Sequence, residues 1–399
     1  MRIIAPHGAS NYNSAVTPDD STAQDTDSLI VPLPDVAPDV NELIVEPSSK
    51  GSAPSANVLY YWDYLGLDLI LNAQHPKSAE RGRAVHDEFF FIVVHQTYEL
   101  WFKQILVELD TVREIFSADT VADRDLNVAL SRLGRIKAIQ RLLVHQLDVL
   151  ETLTPLDFLE FRSLLLPASG FQSVQFRLIE NKFGLSQQDR ISVEGHVYSS
   201  TLRADHVELL TTSENEPSLF DSVNRWLSRT PFATEGDDRF ITDYCGVVRA
   251  KHDATRATLS SHPDQLAAFE AGVKKFDAIF DKSAWDDEVR RGSRRLSYTS
   301  FMGALQIFLY RDDPIFQLPN HVLTTIIDID EGLTLWRQRH ALLAHRMLGR
   351  LTGSAGSGYD YLDETARRYS PFRDLFDVST YLLPRESLPS WREPSPHSR

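Results

Sequence analysis

Cysteine is almost absent from this chain of 399 residues, Cys245 being the only one. One thiol allows no intramolecular disulfide and no thiolate cluster for zinc or iron–sulfur, so any metal must be held by histidine, carboxylate or a cofactor. The same scarcity suits a reducing interior such as the cytoplasm. Long apolar runs are also missing. Nothing approaches the roughly 18 residues of a membrane-spanning helix, so no membrane span is expected, and the apolar run after Met1 is too short for a secretory signal. Positive charge is in deficit, at a net −15, which argues against a nucleic-acid partner because phosphate binding needs clustered lysine and arginine. The basic run Arg290-Arg291-Gly292-Ser293-Arg294-Arg295 reads as a solvated approach to a helix. Thirteen histidines invite a metal search, yet no His-Glu-x-x-His and no histidine–carboxylate cluster at ligand spacing occurs, which speaks against zinc hydrolysis. A serine-nucleophile motif survives only in degraded form at Gly353 to Ala355, and no glycine loop carries the lysine that cradles phosphate.

What is present is helical periodicity. A hydrophobic content of 42% is enough for a substantial core in one large domain or two smaller ones. Residues 1–56 hold eight acids against two bases among Ser, Thr, Asp and Pro, without sustained periodicity, and are expected to form a disordered tail. Residues 57–399 are expected to form an all-α helical bundle. Leu126, Leu130, Leu133, Leu143, Leu147 and Leu150 recur at spacings of a long amphipathic helix ending near Leu153. Thr154-Pro155-Leu156-Asp157 then restarts a helix: threonine suits the N-cap, proline the first helical position and aspartate the positive dipole end. That helix carries Phe158 and Arg162 on one face and should end before Pro167-Ala168-Ser169-Gly170, after which Phe171 to Phe183 predicts another helix stopping at Gly184. The stretch 186–290 is more polar, with short helical candidates at Ser218 to Leu227 and Asp264 to Phe280, and is expected to be a peripheral insertion. Periodicity returns at Ser297 to Tyr310 and in a strongly apolar helix from about Pro319 to Leu351. No strand pattern of comparable length and no solenoid repeat is found.

Two histidines stand out. In Phe90 to Gln104, Phe91, His95, Tyr98 and Phe102 fall on one side of a helix. An imidazole among aromatic rings must satisfy its nitrogens with backbone or water, or offer one to a ligand. Near the C-terminus, His340 and His345 lie about 140° apart on the helical wheel and cannot face one pocket. His340 shares its face with Leu333, Trp336, Leu343 and Met347, an apolar setting in which a neutral imidazole either packs as an ordinary core histidine or coordinates heme iron. His345 belongs to another face and suits the surface or an interhelical hydrogen bond.

Several segments, in order from about Leu59 to Pro384, resemble the tryptophan 2,3-dioxygenase family. They are Tyr61-Trp62-Asp63-Tyr64-Leu65 with Leu71-Asn72-Ala73-Gln74; His86-Asp87-Glu88 and the Phe90 to Gln104 stretch; Leu153 to Phe158; and Pro167 to Ser173 with Gln175-Phe176-Arg177. Asp328-Ile329-Asp330, Trp336-Arg337, His340 and His345 to Gly349 complete the set. The resemblance implies one heme b per subunit, with His340 as the proximal iron ligand and Trp336, Ser169 and Gly170 beside the cofactor. It implies that His95 is the catalytic distal histidine, accepting a hydrogen bond from the indole N–H, and that Phe91, Ile92, Val93, Val94 and Phe158 bound the substrate. Arg162 would clamp the amino acid carboxylate. Tyr61 and Tyr64 would reach a neighbouring subunit's pocket. Ser354 would contribute a hydroxyl near the substrate ammonium. Two departures from the family pattern are Gly353-Ser354-Ala355-Gly356 where Gly-Thr-Gly-Gly is usual, and Val94 where threonine is common. The implied reaction joins L-tryptophan and O2 to give N-formylkynurenine, the first step of the kynurenine route, in a cytoplasmic homotetramer built as a dimer of dimers. The altered Ser354 loop motivates a rival, a related heme enzyme oxidising a modified tryptophan; a non-catalytic heme or tryptophan sensor is another.

Overall fold

A computed structural model describes residues 59–191, 201–229, 239–349 and 358–388. Among the described residues every regular element is helical, as the missing strand pattern predicts. The expected tail at 1–56 and the residue Ser354 lie outside them. The chain divides after Ile70 into two units. In the first, α1 (Tyr61–Leu65) closes on Gly66, whose φ of 62° is a left-handed conformation that costs glycine little. The Trp62 indole donates to Asp68 Oδ1 at 2.7 Å, bracing the start of α2 (Leu67–Leu71). No side chain of α1 is buried.

The second unit is built on three long helices: α4 (His86–Ser117), α5 (Asp123–Leu150) and α14 (Pro314–Leu348). Between and around them run α3 (Lys77–Glu80), α6 (Pro155–Arg162), α7 (Val174–Phe183), α8 (Ala204–Asn215), α9 (Leu219–Ser228), α10 (Arg239–Leu259), α11 (Pro263–Asp277), α12 (Lys282–Arg290), α13 (Tyr298–Leu309), α15 (Gly358–Arg368) and α16 (Arg373–Asp377). Helix α5 packs against both α4 and α14, and the leucine spacing explains why. Leu126, Leu133, Leu143 and Leu147 are buried together with Ala129 and Ile136, while Leu130 and Leu150 pack at the margin. The helix stops at Leu150, and residues 151–153 form the turn that the leucine pattern had assigned to the helix itself. Where α14 crosses α5 the backbones approach closely. A Cβ on Gly332 would stand 2.8 Å from Gln140 Oε1, and Gln140 Nε2 donates to the Ile329 carbonyl at 3.1 Å.

Two expectations need correction. The C-terminal long helix begins at Pro314, not Pro319, and ends at Leu348, short of Leu351. Pro314 occupies the first turn, where its missing N–H costs nothing, and Pro319 forfeits one bond near the helix start. Phe316, about 1% exposed, anchors that turn by burying a whole aromatic side chain, worth roughly 2–3 kcal/mol. Nor is the polar middle wholly peripheral. Helix α9 buries Leu219, Phe220, Val223, Trp226 and Leu227 against α4 and α13. Its ten residues carry too short a pattern, between polar neighbours, to advertise that burial. The end of α7 is fitted to it: at Gly184 a Cβ would lie 2.4 Å from Phe220 Cβ.

A buried charge cluster ties α7 to α14. Glu180 accepts from Arg177 at 2.8 Å, Arg190 at 2.9 Å and Arg337 at 3.0 Å. Arg337 also donates to the Tyr369 carbonyl at 3.1 Å, and Arg190 bonds the Asn181 amide oxygen. Burial alone would raise the Glu180 carboxyl, but the three guanidiniums outweigh it and hold it far below the ordinary carboxylate range. Its contribution to stability is therefore full above the ordinary value near 4.5 and drains away as pH falls through the depressed one. Glu180→Gln should destabilise the fold at neutral pH by about 3–5 kcal/mol, because it strands guanidiniums without their buried partner. Chemical denaturation measures this, and a loss below about 1 kcal/mol would refute the cluster's structural role.

Candidate active site

Helix α6 rests on both α4 and α14, and local signals set its start. Thr154 Oγ1 accepts from Asp157 N at 3.3 Å, with Pro155 in the first turn, as the Thr-Pro-x-Asp pattern predicts. Its aromatic residues meet α4: the Phe91 ring lies 5.6 Å from Phe158 and 5.6 Å from Phe161, and those two are 5.4 Å apart, edge to face. Phe161 is fully buried and fixes the cluster, while Phe91 and Phe158 stay partly open. Arg162 follows Phe158 by about one turn at the C-terminal end of α6, half-buried.

His95 stands beside this cluster, its ring centroid 4.0 Å from that of Phe91. Its Nδ1 is 2.7 Å from the Phe91 carbonyl one turn earlier. A carbonyl can only accept, so the proton sits on Nδ1 and the neutral ring presents a bare Nε2. The imidazole is exposed, yet it is surrounded by enough protein that desolvation lowers its pKa below the ordinary 6.5, against the raising effects of the Phe91 carbonyl and Glu99. Solvent access combined with dense surroundings describes a side chain lining a recess. His95 is therefore neutral at physiological pH, with an acceptor nitrogen available.

His340 comes from α14, 245 positions further along the chain. Its ring stacks on Trp336 at 4.9 Å with 23° between planes. Burial, with a smaller contribution from the charge of His95, pushes its pKa down to about 4. Trp336 is held by Phe176 at 4.9 Å, Tyr98 at 6.2 Å and Phe102 at 6.4 Å. Tyr98 in turn donates to the Leu143 carbonyl at 2.7 Å, and burial raises its pKa to about 12, so it remains a phenol. His340 is thus an uncharged imidazole, kept in orientation by an indole, with a lone pair to offer a metal. Among the described residues no group of three or more His, Cys, Asp or Glu could hold an ion unaided. A metal at His340 would need its remaining ligands from a cofactor.

Of the other residues singled out in the sequence, Ser169 and Gly170 open the short turn before α7. Ser169 Oγ accepts from Phe171 N at 3.3 Å, while Gln172 Oε1 accepts from Ser169 N at 3.2 Å. Ile92 and Val93 are partly or well exposed on α4. Val94 is not brought to the aromatic cluster: its side chain is buried in the core and its carbonyl accepts from Gln146 at 3.1 Å. Tyr61 and Tyr64 belong to the first unit and are about 70% exposed. His345 is exposed and packs edge-on against Tyr359 at 4.4 Å, as its separate helical face predicts. Sequence reasoning passed over Glu99. It lies one turn past His95, accepts from Ser173 Oγ at 2.6 Å and Gln175 Nε2 at 2.8 Å, and acts on the His95 charge. A carboxylate four residues after a histidine was the available signal.

Comparison with known proteins places nearly the whole helical region in one family. The family model described as tryptophan 2,3-dioxygenase matches residues 48–382. Among curated proteins, the tryptophan 2,3-dioxygenase of Bdellovibrio bacteriovorus is 46% identical over 341 residues, 83% of this chain and 95% of that protein. Those of Dictyostelium discoideum and Xenopus tropicalis are 42% and 43% identical, covering 87% and 88% of this chain and 89% and 90% of their own lengths.

Proposed function

We propose how this pocket works from one premise: the chain belongs to the tryptophan 2,3-dioxygenase family. Its reaction is the oxidative opening of the indole C2–C3 bond of L-tryptophan by O2, giving N-formylkynurenine. Neither the modified-tryptophan enzyme nor the sensor is favoured by any relative. What supports the site assignment is a pair of imidazoles set among aromatic rings, His95 against Phe91 on α4 and His340 against Trp336 on α14, each with its charged form disfavoured by desolvation.

The residues suit heme b. His340 would hold the iron through its neutral ring, Trp336 would keep that ring from turning, and the small Ser169 and Gly170 would allow the cofactor edge to approach. Heme, when bound, supplies the iron that binds and activates O2. The protein's part is to place the indole. His95 Nε2 accepts the indole N–H, an assignment for which the Nδ1 bond to Phe91 leaves the correct tautomer. Phe91 and Phe158 pack on the ring, with Ile92 and Val93 beside them on α4. Val94, fixed in the core, supports the helix behind them. Arg162 pairs with the amino acid carboxylate in a bidentate geometry that lysine cannot reproduce. Ser354 keeps the hydroxyl that would meet the ammonium. Together these contacts select the zwitterion over simple indoles and hold it in a reactive orientation.

The assembly we propose is a homotetramer, a dimer of dimers, in which Tyr61 and Tyr64 line the pocket of a neighbouring copy. Exposed apolar side chains support association: Leu100 and Val107 on α4, Leu142 and Val149 on α5, and Leu342 on α14. No helix among the described residues is long and apolar enough to cross a membrane; we place the enzyme in the cytoplasm, where its single thiol would stay reduced.

Two experiments test the reading. Incubation of the reduced, heme-loaded protein with L-tryptophan and 18O2 should give N-formylkynurenine carrying two labelled atoms; one labelled atom or another product would overturn it. His340→Ala should lose stable heme retention while keeping its helical circular dichroism. Undiminished heme loading in that variant would remove His340 as the ligand.

A further inference from the structure

The carboxylate of Glu99 joins two parts of the pocket that the backbone leaves separate. It projects from α4 one turn beyond His95 and accepts from Ser173 Oγ at 2.6 Å and from Gln175 Nε2 at 2.8 Å, and the same Gln175 amide donates to the Glu99 carbonyl at 2.8 Å. Ser173 is the N-cap of α7, its hydroxyl also accepting from Phe176 N at 3.3 Å. The negative charge therefore stands at the positive end of a ten-residue helix, where a carboxylate is favoured. From Ser173 the hydrogen bonds continue backwards. Ser173 N donates to the Gly170 carbonyl at 3.1 Å and Gln172 N to the Ser169 carbonyl at 2.9 Å, and the Ser169–Gln172 capping box closes the turn. An unbroken path thus runs from the cofactor-edge residues Ser169 and Gly170, through Ser173, to Glu99 on the helix that presents His95.

We infer that Glu99 is a positioning residue: it latches the 165–173 segment to α4, and so fixes the distance between the indole acceptor His95 and the edge of the cofactor pocket. Charge-assisted bonds to a carboxylate are roughly twice as strong as neutral ones, and three side chains share the restraint. Without the latch, the Ser169–Gly170 turn keeps its local bonds, the Gln172 Nε2 bond to the Thr201 carbonyl at 3.1 Å and the Phe171–Tyr361 ring contact at 5.0 Å, but loses the Ser173 bond to α4, and the substrate space widens. Glu99 touches neither substrate nor iron in this scheme. The inference rests on the proposed assignment of His95, Ser169 and Gly170, so its test includes a reading that needs no turnover.

The variants Glu99→Ala, Ser173→Ala and the double variant are compared with the parent protein. In the protein without heme, amide hydrogen exchange across 165–173 should quicken about tenfold in Glu99→Ala, the scale expected for losing a charge-assisted bond. Exchange in the core of α5 should not change. With heme loaded, the KM for L-tryptophan should rise about tenfold while kcat shifts by less than about threefold, because the widened pocket binds ground state and transition state alike more weakly. The effect of the double variant should fall short of the sum of the two single effects, since both changes break the Glu99–Ser173 bond, although Ser173→Ala also removes the α7 N-cap. Unchanged exchange at 165–173, or effects of the two substitutions that simply add, would overturn the latch. Should Glu99→Ala fail to fold, Glu99→Gln, which keeps the side chain's shape and removes its charge, decides through the same exchange reading. If the parent protein formed no N-formylkynurenine, the reaction assignment would fall, while hydrogen exchange would still decide the latch.

Discussion

Desolvation disfavours charge on two imidazoles set among aromatic rings, and the proposed site depends on that constraint. His340 is pushed down to about 4 by desolvation, with His95 adding repulsion; His95 is itself lowered by desolvation. Two neutral rings can do two different things. In the proposed reading one would offer a lone pair to iron, its ring stacked on Trp336 at 4.9 Å. The other keeps its proton on the side facing the Phe91 carbonyl at 2.7 Å and so has an acceptor nitrogen with which it would meet the substrate. Without that desolvation either ring would be partly protonated near neutral pH and lose that role.

The fold serves this arrangement with few elements. Helices α4 and α14 each pack on α5, and the close crossing at Gly332 and Gln140 sets how near α14 can come. Helix α6 bridges the two, bringing its phenylalanines to Phe91. The Glu180 cluster then secures α14 to α7 from behind through Arg337, three residues before His340. Stability and function thus share α14: the turn that carries Arg337 into the buried ion cluster also carries Trp336 against His340.

Much of this was legible in the sequence where the determining forces are local. The Thr154-Pro155-Asp157 start of α6, the stop of α7 at Gly184 and the inner face of α5 are each set by neighbours within a few residues. The tautomer of His95 is equally local, depending on a carbonyl four residues earlier. The roles of His340 and Arg162 became specific only through family resemblance, because an apolar helix face does not by itself distinguish a ligand from a core histidine. What escaped was non-local. Glu99 meets Ser173 and Gln175 across 74 and 76 positions, and nothing near Glu99 announces them. Helix α9 looked peripheral because its ten residues lie in a polar region, yet Phe220 packs so closely at Gly184 that no side chain fits there. The start of α14 was misjudged because Pro319 resembles a first-turn proline, as Pro314 is.

The most direct test of the account is the pH dependence of L-tryptophan affinity in the heme-loaded protein. Protonation would turn His95 Nε2 from acceptor into donor, and its pKa is lowered from 6.5. The acceptor form therefore persists below that value. Affinity should weaken as pH falls with a midpoint below 6.5, and the weakening should be absent in His95→Ala. A loss of affinity centred at or above 6.5 that depends on His95 would show that the ring is charged where neutrality is required, and would contradict the account.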